Sequence, residues 1–221
     1  MPHTPAHPTL AQALATALAR HADRAFGLMG NGNAHLIDAL LAQGVPVTEV
    51  RHEAATVASA DAYTRVSGRI AIATATYGAG FTNTLTALAE AAQARTPMLV
   101  VVGDAPTTGP RPWDVDQEML GAALGVRTHL LTLNDPVGIV DRAVASALRS
   151  RRPVILGIPY DLAAAAVDAP LEGVARAADD EIDLNDPAVI ASLVAATLPA
   201  TDQARQHSVR PITGASAGQI A

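Results

Sequence analysis

The run Leu99-Val100-Val101-Val102, entered from Pro97 and left through Gly103, most narrows what this chain can fold into. In a strand, consecutive side chains point to opposite faces, so an unbroken apolar run leaves neither face for water. The run is far too short to cross a bilayer, which takes roughly 20 residues. A short strand buried on both faces belongs to a parallel sheet covered by helices above and below.

The flanking sequence supplies the cover. Thr9 to His21 carries Leu10, Leu14 and Leu18 at helical spacing, with Thr9 as the expected N-cap. A strand from Ala25 to Met29 ends in the turn Gly30-Asn31-Gly32-Asn33, and a helix from Ala34 to Gln43 stops at Gly44. Strand Val45 to Val50, helix Glu53 to Ser67 with Gly68 as its stop, strand Ile70 to Thr76 and helix Phe81 to Arg95 follow. Beyond the run itself comes a long connection, Asp104 to Asp116, with three prolines and the only tryptophan. A short helix over Met119 to Leu124, a strand over Thr128 to Leu133, a helix over Pro136 to Arg149 and a last strand over Pro153 to Ile158 complete the order. Repeated βα units with short loops predict an α/β fold: a doubly wound, mostly parallel sheet with helices on both faces.

That pattern spans residues 1–165 as one domain. The alanine- and acid-rich stretch that follows reads as a linker over 166–185. Asp186 to Leu198 reads as one extra helix, capped by Asp186 with Pro187 at its first position, and the stretch from His207 to Ala221 as a disordered tail. Hydrophobic residues make up 49% of the chain and the net charge is −6, without a long basic run. Nucleic acid is therefore not an expected partner. No apolar stretch has membrane-spanning length, and the N-terminus lacks the charged-then-apolar order of a secretory signal, so a cytoplasmic location is expected. Cysteine is absent, which excludes disulfides and thiolate metal sites, and the seven histidines have no metal-ligand spacing.

Two features carry possible chemistry. Arg51-His52-Glu53 places one carboxylate at a strand-to-helix junction, and Tyr77-Gly78-Ala79-Gly80 opens a helix about one βα unit later. Both fall at the carboxyl ends of strands, where ligands of open α/β sheets sit. An acid in a helix's first turn also complements the macrodipole without any further role. Ala54, Ala58 and Ala62 form a stripe of minimal side chains on the same helix, which suits a tight interface. A glutamate at the edge of such an interface could share a proton with a ring nitrogen. The glycine turns also suggest a nucleotide-phosphate cradle, but neither completes G-x-G-x-x-G, because Asn83 stands in the last glycine's place. Tight βα geometry alone accounts for glycine at both.

Taken together, Phe26 to Gly30, Arg51-His52-Glu53 with Ala60 to Gly68, and Gly78-Ala79-Gly80 with Thr82-Asn83 resemble the pyrimidine-binding domain of thiamine-diphosphate enzymes, in the acetolactate synthase and 2-oxoacid decarboxylase superfamily. The resemblance covers roughly residues 8 to 165. It implies that Glu53 hydrogen-bonds N1′ of the aminopyrimidine and so promotes loss of the thiazolium C2 proton. It implies further that Met29, Gly30, Gly78, Ala79, Gly80, Thr82 and Asn83 line the aminopyrimidine pocket, and that Gln117 lies near a 2-oxo acid substrate. The family's Ser-Gly-Pro-Gly turn reads Tyr77-Gly78-Ala79-Gly80 here, and its first Pro-Gly reads Met29-Gly30.

The family's second cofactor half, a Gly-Asp-Gly followed by Asn-Asn, has no counterpart in this sequence; Gly103-Asp104-Ala105 is the nearest string. The resemblance thus implies only the pyrimidine half of thiamine diphosphate on this chain. Magnesium and the diphosphate would be held by a missing domain or by a subunit from a neighbouring gene. FAD occurs in the family, and nothing in these residues supports it. A homodimer is expected, because family members build each active site between two chains. The expectation is a truncated product or one subunit of a split enzyme. A non-catalytic remnant acting as an interaction module, or a nucleotide-binding Rossmann-like protein, are the rival readings.

Overall fold

A computed structural model describes residues 7–168. The expected helix from Asp186 to Leu198, most of the linker and the tail lie outside the described residues. The described chain is an α/β fold with a six-stranded, all-parallel sheet in the order β2-β1-β3-β4-β6-β5. Its elements are α1 (Leu10–Ala19), β1 (Ala25–Gly27), α2 (Ala34–Ala42), β2 (Val47–Glu49), α3 (Glu53–Ser67), β3 (Ile72–Ala75), α4 (Ala79–Thr82), α5 (Leu85–Gln93), β4 (Leu99–Asp104), α6 (Gln117–Ala123), β5 (Arg127–Leu130), α7 (Pro136–Ser150) and β6 (Val154–Pro159).

Alternation along the central strands builds two separate cores. On β4, Leu99 and Val101 face a core with α1, α2 and α7, while Val100 and Val102 face one with α3 and α5. β6 divides the same way, Val154, Leu156 and Ile158 to the first core and Ile155 to the second. β4 is therefore buried on both faces, as its unbroken apolar run predicts. Beside β3 the second core holds Ala71, Ala73 and Ala75, together with Ala60 of α3 and Ala91 and Ala92 of α5. Such small side chains let the helices approach the sheet closely.

Helix ends follow the expected signals. Thr9 caps α1 in a reciprocal pair with Gln12, and Gly68 ends α3 in the left-handed region at φ 71°. The single helix expected over Phe81 to Arg95 is broken into α4 and α5 at Asn83-Thr84. The cause lies in hydroxyls that bond back to the preceding turn. Thr82 Oγ1 donates to the Ala79 carbonyl at 3.0 Å, and the buried Thr84 Oγ1 to the Phe81 carbonyl at 2.7 Å. After β6 the chain returns to α1. Leu10 N donates to the Ala165 carbonyl, Val167 N to the Pro8 carbonyl, and Val167 is buried. No described helix is long and apolar enough to cross a membrane.

Candidate active site

Strand order reverses between β1 and β3: the chain steps outward from β1 to β2, then returns to β3 on the other side of β1. Such a reversal opens a crevice at the carboxyl ends of the two strands. The turn after β1, the turn after β3 and the start of α3 all border it.

Asn33, which is 1% exposed, shapes the first turn. Its Oδ1 accepts from Gly30 N at 2.8 Å, while its Nδ2 donates to the Leu28 carbonyl at 3.2 Å and to Thr74 Oγ1 at 3.0 Å. Gly32 N donates to Thr76 Oγ1 at 2.9 Å. A Cβ on Gly32 would stand 3.0 Å from Gly103 Cα, so the first turn lies directly against the end of β4. Met29 is exposed at the head of the turn.

The second turn needs glycine for two reasons. Gly78 holds φ 60° and ψ −121°, which side chains resist, and a Cβ there would meet the Trp113 carbonyl oxygen at 2.5 Å. A Cβ on Gly80 would stand 2.5 Å from Thr76 Cγ2 and 3.6 Å from Glu53 Oε1. Thr76 thus lies beneath Gly30, Gly32 and Gly80 together, and its methyl and hydroxyl set the distance between the turns. Ala79 is exposed on the outer side, and Thr82 is occupied within α4 by its bond to Ala79.

His52, not Glu53, caps α3. Its Nδ1 accepts from Ala54 N at 3.2 Å, a structural task. The half-buried Glu53 turns instead toward the break between α4 and α5, where Asn83 Nδ2 donates to its Oε2 at 3.0 Å. Arg51 forms no ion pair with Glu49 or Glu53 among the described residues. Oε1 has no hydrogen-bond partner among the described residues and faces Gly80, where no side chain intervenes. One carboxylate oxygen is therefore fixed and the other is available beside a glycine surface. That donor set fits a flat nitrogen heterocycle.

Gln117 stands apart from this group. It is 2% exposed, and its Nε2 donates to the Gly103 carbonyl at 2.9 Å, while its Oε1 is buried without a partner. It lines a neighbouring cavity of about 630 Å³ with Asp104, Asp114 and Asp116, which includes neither Glu53 nor the glycine turns. Burial raises the Asp104 carboxyl above its ordinary value; the Ala105 N–H and Gln117 oppose this, and the charges of Asp114 and Asp116 reinforce it. Gly103 nevertheless links the two regions, since its carbonyl holds Gln117 and its Cα abuts Gly32.

The structure adds a cluster above the crevice that the sequence reading missed. The Arg111 guanidinium lies 4.1 Å from the Tyr77 ring centre and 4.5 Å from that of Tyr160, and it grips Asp114 with two bonds of 2.9 Å. Those bonds hold the Asp114 carboxyl below its ordinary value. Asn31 Nδ2 donates to Tyr160 Oη at 3.1 Å, and the two tyrosine rings meet edge to face. The loops after β1, β3, β4 and β6 are thereby clamped together. The Arg111-x-x-Asp114 spacing was the available signal; the tyrosines come from distant strands. Among the described residues no group of histidines and carboxylates could hold a metal ion.

Residues 8–124 match the family described as thiamine pyrophosphate enzyme, N-terminal TPP binding domain. The chain is 36% identical over 166 residues to an acetolactate synthase large subunit of Parasynechococcus marenigrum, covering 69% of this chain and 26% of that protein. It is 32% identical over 166 residues to a sulfoacetaldehyde acetyltransferase of Rhodobacter capsulatus, covering 72% and 28%. A 2-hydroxyacyl-CoA lyase 2 of Danio rerio is 33% identical over 141 residues, covering 62% and 23%. The match thus spans about a quarter of the length of each relative. A doubly wound sheet, a glycine-walled crevice at its strand reversal and a family match across more than half its length together show that the chain belongs to the thiamine pyrophosphate enzymes, as their N-terminal TPP binding domain.

Proposed function

We propose that the crevice between β1 and β3 receives the aminopyrimidine of thiamine diphosphate, and that Glu53 is the catalytic carboxylate of an enzyme acting on a 2-oxo acid. The observation that carries this reading is the split duty of Glu53: Oε2 is held by Asn83 while Oε1 is free beside Gly80. When bound, the cofactor supplies a nucleophilic carbon and a store for the electron pair that decarboxylation leaves. Glu53 Oε1 would hold a proton against a ring nitrogen, and the Asn83 bond would keep that carboxylate in one orientation. Met29, Gly30 and the backbone from Gly78 to Gly80 would supply flat walls without bulky side chains. Gln117 would serve the substrate from the adjoining cavity, through Gly103.

Magnesium and the diphosphate would be held by a partner polypeptide or a further domain. The chain would work as a dimer. On α3, Ala58, Ala62 and Val66 are exposed, a shallow face that suits close approach of a second copy. Calorimetric titration of thiamine diphosphate with magnesium, into the chain alone and then mixed with a diphosphate-binding partner from a neighbouring gene, tests the proposal. Binding in the mixture, followed by 2-oxo acid turnover, supports it. Binding in neither case overturns it and leaves a non-catalytic interaction module.

A further inference from the structure

At the opposite edge of the sheet, Arg127 opens β5, Arg149 lies in the last turn of α7, and Arg152 stands in the connection into β6. These three line one concavity of about 360 Å³ with Gly125, Ser146 and Ser150, and no carboxylate among the described residues lines it. Elsewhere in the described chain, Arg65, Arg69, Arg111 and Arg142 each hold an aspartate. Arg127, Arg149 and Arg152 hold none among the described residues; Arg20, Arg24, Arg51, Arg95 and Arg151 hold none either, and what sets the three apart is that they share one hollow. A cation in the last turn of a helix complements its dipole, which accounts for Arg149 alone. Arg127 belongs to a strand, and Arg152 lies across Gly125, where a Cβ would stand 2.9 Å from its Nη1.

Three like charges around one hollow repel one another unless an anion joins them. Planar guanidinium forks match phosphate oxygens two at a time. The volume lies at the lower end of small-molecule sites, about 300–1,000 Å³, and exceeds what one orthophosphate fills. We propose that this concavity at the amino-terminal edge of β5 and β6 binds a small molecule through a diphosphate group. The site is separate from the crevice beside Glu53 and does not rest on the function proposed above.

Titration calorimetry of the intact chain with inorganic pyrophosphate tests this. Saturable binding at one site is expected. Arg127→Gln, Arg149→Gln and Arg152→Gln should each weaken it about tenfold or more, the loss typical of a charge-assisted hydrogen bond. Arg20→Gln, at the exposed end of α1, should bind as the parent does. Circular dichroism of each variant establishes that the fold is kept. Absence of saturable binding, unchanged affinity in the three variants, an equal loss in Arg20→Gln, or sulfate binding as tightly as pyrophosphate would each overturn the proposal. Pyrophosphate binding that emerges only after Asp179, Asp180 and Glu181 are changed to their amides would also overturn it, by assigning the hollow to the chain's own acidic run.

Discussion

Replacing Gly78 by alanine separates two costs that coincide at the second turn. The backbone cost comes from φ 60° and ψ −121°, a conformation that costs a residue with a side chain about 1–3 kcal/mol. The steric cost comes from the new Cβ, placed 2.5 Å from a backbone oxygen that cannot rotate away, and overpacking of that kind costs about 1–3 kcal/mol. The sum is about 2–6 kcal/mol, a large part of the roughly 5–15 kcal/mol that holds a domain folded. Gly68→Ala is the internal control. Gly68 also has positive φ, 71°, but nothing lies within 4 Å of a Cβ built there. Its cost should stay near the backbone figure for the left-handed region, about 1–2 kcal/mol. Both substitutions reduce the freedom of the unfolded chain alike, so the difference between them reports the Trp113 contact together with the costlier backbone conformation of Gly78. Urea unfolding followed by circular dichroism measures both, and fluorescence of Trp113, the only tryptophan, follows the displaced loop. Equal losses in the two variants, within about 0.5 kcal/mol, would refute the close approach as a determinant of this turn.

Other substitutions probe the site in different ways. Glu53→Gln should leave the unfolding midpoint near that of the parent and reduce turnover of a reconstituted enzyme by about 10²–10⁴-fold, measured as 2-oxo acid consumption; retained activity would remove Glu53 from the chemistry. Asn33→Leu leaves Gly30 N, the Leu28 carbonyl and the Thr74 hydroxyl without their partner, and should cost about 3 kcal/mol or more in urea unfolding. Asp104→Asn should stabilise the protein at neutral pH, because the folded carboxyl is raised above its unfolded value and its charged form is the disfavoured one. That gain should shrink as pH falls toward about 4 and be gone below it, where the parent's carboxyl is protonated in both states, and thermal unfolding across pH reads the trend. Asp114 has the opposite sign: its folded value is lowered, so its pairing with Arg111 stabilises above the ordinary carboxylate range and is lost on acidification. Arg111→Gln should therefore destabilise at neutral pH, and the deficit should shrink on acidification without vanishing, because the contacts of Arg111 with the Tyr77 and Tyr160 rings remain, as read by the same thermal scans.

The fold was legible in the sequence because its strands announce themselves. Leu99 to Val102 reads as a short strand buried on both sides, and glycines such as Gly68 mark helix ends. The break between α4 and α5 was not legible, because threonine hydroxyls that bond backward look like ordinary helix residues in a string. Asn83 at that break donates to Glu53, a pairing that the structure supplies and the string does not. Thr76 was missed for another reason: its role is to sit under three glycines, and spacing cannot reveal a neighbour across strands. The Arg111 clamp likewise joins residues from four loops that only the sheet order brings together.

The alanine-lined face of β3 has a consequence for how this domain can change. Ala71, Ala73 and Ala75 set how far α3 and α5 stand from the sheet, and α3 carries Glu53 at its tip. The methyl groups there act as a shim whose thickness fixes the reach of the carboxylate toward the second turn. A valine at position 73 would thicken it and carry Glu53 outward with its helix, although no residue bordering the crevice had been altered. Specificity drift in such a domain can therefore begin deep in the core, in side chains that no ligand ever meets.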